Sequence, residues 1–230
     1  MVSGGLPQRM AGDQLRYGVG AWKLMHSPYL HLLNREQGWT LEVSESLADR
    51  QGLPDALRVL LEDYPREAWE SSDNFGTLIR FWLDRHMMFR RLMTSLQGET
   101  ELALDGNLDE RMLAARVSRY GSMLVGELHG HHNIEDVHYF PRLRQLDSRL
   151  EKGFDLLDSD HLALDALLET FSVSANNVLN SVSNGADWRT PADVFRKRLH
   201  GFKRDLNRHL VDEEHLIVPV LLKYAPAALI

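Results

Sequence analysis

The sequence predicts an all-α protein: an up-down-up-down four-helix bundle carrying an N-terminal helical or irregular extension. Three observations carry that expectation. From residue 74 onward, apolar side chains recur at three- and four-residue steps through four long segments. The stretches between those segments are short or moderate, which sets successive helices antiparallel. The first 73 residues break the pattern, holding two aromatic-rich stretches, "GAWKLMHSPYLHLLN" and "PDALRVLLEDYPREAW", around the turn-like "RQGLP". The chain therefore divides into residues 1–73, packed on or flanking the bundle, and a bundle over residues 74–230.

The first long segment is "NFGTLIRFWLDRHMMFRRLMTSLQG", where Phe75, Leu78, Ile79, Trp82, His86, Phe89 and Met93 share a stripe. Asn74 suits its N-cap and Gly98 its stop. The second runs from about Leu108 to Tyr139 along Met112, Val117, Tyr120, Leu124, Leu128 and His131, and Pro141 should end or kink it. The third spans about Phe154 to Val182 and closes at "SNG". The fourth opens on Thr190-Pro191, a cap followed by a first-turn proline, with Asp193 favourable to the helix dipole. It should stop near Val218, before Pro219.

Composition narrows the chemistry. A net charge of −7 argues against general nucleic-acid binding, which needs a basic footprint. The chain has no cysteine, so disulfides, thiolate nucleophiles, zinc ribbons and iron–sulfur clusters are excluded together. Any metal must use histidine and carboxylate, which suit iron, manganese, zinc, copper or nickel. The first residues lack an apolar leader core and no stretch reaches a spanning length, so the expected location is the cytoplasm, with no membrane partner.

The histidines fall into a pattern. His131 and Glu135 lie four apart on one helix face, and His209 and Glu213 repeat the spacing. A proline follows each histidine at the same distance, Pro141 and Pro219. His86 and His161 stand in the stripes of the other two helices. Two metal ions a few ångströms apart need bridging carboxylates and imidazoles, and one helix offers only one ligand per turn. Four facing helices can supply the set at a common midpoint. A position left open would seat dioxygen, nitric oxide or peroxide.

This arrangement resembles the hemerythrin-like, HHE cation-binding family, with "HHNIED…YFP" and "HLVDEEHLIVP" as its most specific pieces over roughly residues 74 to 224. The resemblance implies a non-haem di-iron centre held by His86, His131, Glu135, His161, His209 and Glu213, with Glu135 and Glu213 bridging. Other divalent metals fit the same donors. It also implies binding, sensing or handling of a small gas or oxidant, by a sensor or by an enzyme. Oxygen-carrying members have a second histidine one turn after the third-helix ligand, and here Asp165 stands there. The four-His, two-Glu core is more similar to the repair-of-iron-centres branch, which adds a cysteine-containing domain absent here.

Several side chains carry alternatives. His138 lies within reach of the ligand face as a further donor or an outer hydrogen-bonding group. Glu127 and Asp165 could orient an imidazole. His129 and His132 fall away from the stripe by helical phase and read as surface or outer groups. His26, His31, His200 and His215 read as structural or exposed, and Trp22, Trp39, Trp69 and Trp82 as core. "EDVH", "DSDH" and "DEEH" offer a ferritin-like di-metal reading. An iron donor, a metal-free helical interaction domain and a homodimer remain compatible. All six proposed ligands follow residue 85, so residues 1 to 71 are expected to be separable from metal binding.

Overall fold

The computed structural model describes residues 46–226. Trp22, Trp39, His26 and His31 lie outside them. The described chain is all-α, with four long helices and no strand among the described residues. Short elements come first: a 3-10 turn at Asp55–Leu57, α1 at Val59–Asp63 and a 3-10 helix at Arg66–Ser71. The bundle helices are α2 (Thr77–Leu104), α3 (Glu110–Ile134), α5 (Glu151–Ser183) and α6 (Arg189–Tyr224), with a one-turn α4 at Phe140–Leu143. Contacts run α2–α3, α3–α5, α5–α6 and α6–α2, a closed ring of four. No described helix is long and apolar enough to cross a membrane.

Helix ends depart from the expected ones for identifiable reasons. Gly98 does not stop α2, which continues to Leu104 and turns at Gly106, whose φ of 81° suits a residue without Cβ. Asn74 does not cap it either. Gly76 holds the cap position, and the Asn74 amide donates to the Leu222 carbonyl at 2.7 Å, tying the start of α2 to the end of α6. Asp109 caps α3, accepting from the Arg111 and Met112 amides at 3.0 and 2.9 Å. Trp188, not Thr190, precedes α6, and Asp187 accepts from the Arg189 amide at 3.0 Å.

The two prolines behave differently despite their matched positions. Before Pro141 the chain winds into a π turn, Glu135–Tyr139, closed by the Phe140 amide on the Glu135 carbonyl. Proline lacks a donor and crowds the carbonyl four residues back, and the wider turn absorbs both effects. Pro219 sits inside α6 without ending it. Its neighbours Leu216, Ile217, Val218, Val220, Leu221 and Leu222 are all buried, and this packing offsets the lost helical bond.

The core is in two parts. One cluster joins Phe89, Leu96, Leu124, Leu128, Leu164, Phe171, Phe195 and Leu210. The other joins Ile79, Trp82, Phe140, Phe154, Leu157 and Leu216 with Leu53, Leu57, Leu60 and Trp69 of the preceding segment. Along α2, α5 and α6, and from α3 through the π turn into α4, the chain passes from one cluster to the other through charged or imidazole side chains. Trp82–His86–Phe89 on α2 and Leu157–His161–Leu164 on α5 show the change. A buried polar layer therefore crosses the bundle.

Candidate metal centre

The polar layer assembles because the four helices bring their donors together at one level: His86 from α2, His131 and His132 from α3 with Glu135 one turn on, His161 from α5, and His209 with Glu213 one turn on from α6. His131 and His132 are adjacent on α3, so they point about 100° apart. Helix α3 packs against α2 on one side and α5 on the other, and the two imidazoles divide accordingly. His131 Nε2 lies 3.2 Å from His86 Nε2. The His132 ring stacks on His161 with centroids 4.0 Å apart. Two groups of donors result: His86, His131, Glu135 and Glu213 in one, His132, His161 and His209 in the other.

The carboxylates lie between the groups. Glu135 Oε1 is 3.0 Å from His131 Nε2, and its Oε2 is 3.6 Å from His161 Nε2. Glu213 Oε2 is 3.3 Å from His86 Nε2 and 3.4 Å from His209 Nε2. The other Glu213 oxygen accepts from the Trp82 indole N–H. Each glutamate thus faces one imidazole from either group.

The outer nitrogens are held by a second set of acids. His86 Nδ1 meets Glu214 at 3.0 Å, His161 Nδ1 meets Asp136 at 2.7 Å, and His209 Nδ1 meets Asp160 at 3.3 Å. The order is regular. Asp136 follows Glu135 on the π turn and serves α5. Asp160 precedes His161 on α5 and serves α6. Glu214 follows Glu213 on α6 and serves α2. An acid beside one helix's donor orients the histidine of the next helix, leaving each Nε2 to face the interior.

The electrostatics match groups that await a cation. Burial, with Glu213 close by, pushes the Glu135 carboxyl well above its ordinary range. Burial also pushes Glu213 up, but His86, His209 and His131 outweigh it and hold Glu213 well below that range. Burial holds His131 and His132 well below the ordinary imidazole range, which favours the neutral ring that can give a lone pair to a metal. Burial acts the same way on His209, yet Asp160 and Glu213 prevail and raise it to about 9. Buried atoms lacking a hydrogen bond gather here: both His132 nitrogens, both Glu135 oxygens, Glu213 Oε2, and Nε2 of His161 and His209. Buried polar atoms are ordinarily satisfied. Nitrogen and oxygen donors left unsatisfied around a midpoint fit a metal site and do not fit a plain helical core.

A family model described as hemerythrin HHE cation binding domain matches residues 77–221. The chain belongs to the hemerythrin HHE cation-binding family. No curated protein and no solved structure matches it.

In this hemerythrin domain, the six donors read from the sequence, His86, His131, Glu135, His161, His209 and Glu213, all lie in the polar layer. The other candidates lie elsewhere. His138 is exposed, because the π turn after Glu135 slips the helical phase and carries it off the donor face. Glu127 pairs with Arg85. Asp165 lies 3.4 Å from His129 Nδ1, outside both groups. The ferritin-like pairing is not assembled either, since His138 faces out and His215 lies against Trp69. His132 is the donor that phase reasoning missed. It is buried, and it stands beside His161 where a second third-helix histidine is lacking. The sequence signal was the His131-His132 pair itself, read together with Asp165.

Proposed function

We propose that this hemerythrin domain holds two non-haem iron ions and uses them to bind a small oxidant, dioxygen, nitric oxide or peroxide. Glu135 carries the reading: its two oxygens face imidazoles of different groups, and neither has a hydrogen bond. His86, His131 and Glu213 would complete one position, and His132, His161 and His209 the other. Iron held by imidazole and carboxylate supplies one-electron redox chemistry and room for a small ligand.

The chain's own residues set the conditions. Asp136, Asp160 and Glu214 fix the imidazole rings and make them better donors. Trp82 holds one oxygen of Glu213 and leaves the other facing His86 and His209. Phe89, Phe140 and Leu128 close the layer above and below and exclude bulk water. His131 is the donor nearest the surface, its side chain 9% exposed, which suits a small guest and excludes a bulky substrate. The burial of His86, His209 and Glu213 favours retention of metal over its donation.

Elemental analysis of protein purified without added metal tests this. The expected result is about two irons per chain, as four-helix carboxylate sites hold, with absorption that changes on adding peroxide or nitric oxide. A single tightly held zinc would overturn it. Catalytic consumption of the oxidant would mark an enzyme, and binding without consumption a sensor or carrier.

A further inference from the structure

The segment before the bundle reaches into the metal centre through two arginines. Arg50 is buried, and its guanidinium spans two helices. It donates from Nη1 and Nη2 to Asp160 at 3.1 and 2.5 Å, and from Nε to Asp212 at 2.8 Å. Asp160 is the carboxylate that meets His209 Nδ1. Arg66 donates to Glu214 at 2.7 Å, joined by Arg90 of α2 at the same distance. Glu214 is the carboxylate that meets His86 Nδ1. One short stretch of chain thus grips the outer carboxylates of two histidines that face different donor groups.

The stretch is anchored for this task. Leu53, Leu57, Leu60 and Trp69 are buried with the second core cluster. Arg208 of α6 donates to the Gln51 carbonyl at 2.6 Å and to Asp212 at 2.6 Å, fixing the backbone next to Arg50. These contacts speak against the expectation that residues before the bundle are separable from metal binding. Two buried aspartates would lose their shared cation if the segment left.

We propose that residues 50–66 act as an arginine clamp, in which Arg50 positions His209 through Asp160, and Arg66 positions His86 through Glu214, so that both metal positions depend on a segment containing no ligand. This rests on the two-metal reading above. Arg50 and Arg66 are positioning residues. A guanidinium can bond two carboxylates at once in a fixed plane, which lysine cannot do. Held this way, Asp160 cannot rotate away from His209, and the imidazole stays aimed at the interior. Arg50 should matter more than Arg66, because Arg90 also holds Glu214.

The test uses the full chain loaded with ferrous iron, following iron per chain and the rate of release to a chelator. Wild type should hold two ions. Outer-shell changes typically weaken metal binding about 10- to 100-fold, so Arg50→Gln should release one of its two ions faster by about that factor, the other remaining as in wild type. Arg50→Lys should fall short of restoring it, and Arg66→Gln should show a smaller effect. Arg58→Gln is the control, since among the described residues the Arg58 side chain bonds only within its own segment, to Leu53 and Asp55. The double variant Arg50→Gln/Asp160→Asn should release iron no faster than the worse single variant, because both act on one linkage. Circular dichroism checks folding, and Arg50→Lys serves as the lead variant if Arg50→Gln does not fold. Wild-type release rates in a folded Arg50 variant, or additive effects in the double, would overturn the clamp. Failure of wild type to hold two ions would instead overturn the two-iron reading.

Discussion

Glu214 ties the metal centre to the acid response of the protein. Burial works against its charge, but His86, Arg90 and Arg66 hold its carboxyl down at about 2. A carboxylate depressed from its ordinary value stabilises the fold above the unfolded-state value and loses that contribution as pH falls through the folded one. For metal-free protein the loss should occur between about pH 4.5 and about pH 2. Its size is on the order of 2–3 kcal/mol once screening at the half-exposed Arg66 is allowed for. Glu214→Gln should be less stable at neutral pH and lose less on acidification, by denaturant melts at several pH values. Parallel curves for the two proteins would contradict this. His132 gives a second residue-level expectation. His132→Ala should cost about one bound ion per chain, as expected for one of three donors at a position, whereas exposed His138→Ala should cost none. Equal metal content in the two variants would remove His132 from the centre.

Among elements, two glycines separate helix propensity from packing. Gly98 lies inside α2, and a Cβ there meets nothing within 4 Å. Gly98→Ala should therefore raise stability by about 0.5–1 kcal/mol, the gain in helix propensity. Gly153 lies where α5 approaches α6, and a Cβ would sit 2.7 and 2.9 Å from the two terminal carbons of Leu216. Overpacking of this kind costs about 1–3 kcal/mol, so Gly153→Ala should show no gain and a net loss. Thermal unfolding of both variants decides it, and equal stabilisation would show that the Leu216 side chain gives way to the added methyl. The same closeness explains why glycine occupies the start of α5, a position its helix propensity disfavours.

For the whole molecule, the polar layer should make stability depend on metal. Seven donors sit between two apolar clusters, and a cation that binds only the folded chain adds its binding free energy to folding. His209→Ala should lower the melting temperature of iron-loaded protein clearly. It should do so less in chelator-treated protein, where the pairing of the ring with Asp160 and Glu213 is lost but no bound metal is, and the unsatisfied Nε2 goes with the ring. His200→Ala, exposed on α6, is the comparison and should change neither form. An equal shift for His209→Ala with and without chelator would mean that the layer is structural polarity and not a metal site.

Periodicity, spacing and the missing cysteine by themselves determined the four helices, the family resemblance and six side chains of the polar layer. Those features depend on residues close in sequence, where helical geometry sets which side chains share a face. Phase reasoning failed where geometry changed locally. The π turn moved His138 out, and a helix wedged between two neighbours turned both His131 and His132 inward. Gly98 and Pro219, which read as stops, lie inside helices because burial on the partner helices outweighs local preference. The partners of the donors were beyond reach of the sequence altogether. Arg50 finds Asp160 across 110 residues and Asp212 across 162. Such pairs form because a buried charge must meet its opposite wherever the fold brings one near. Only the packed bundle, with the preceding segment laid across it, decides which charge that is.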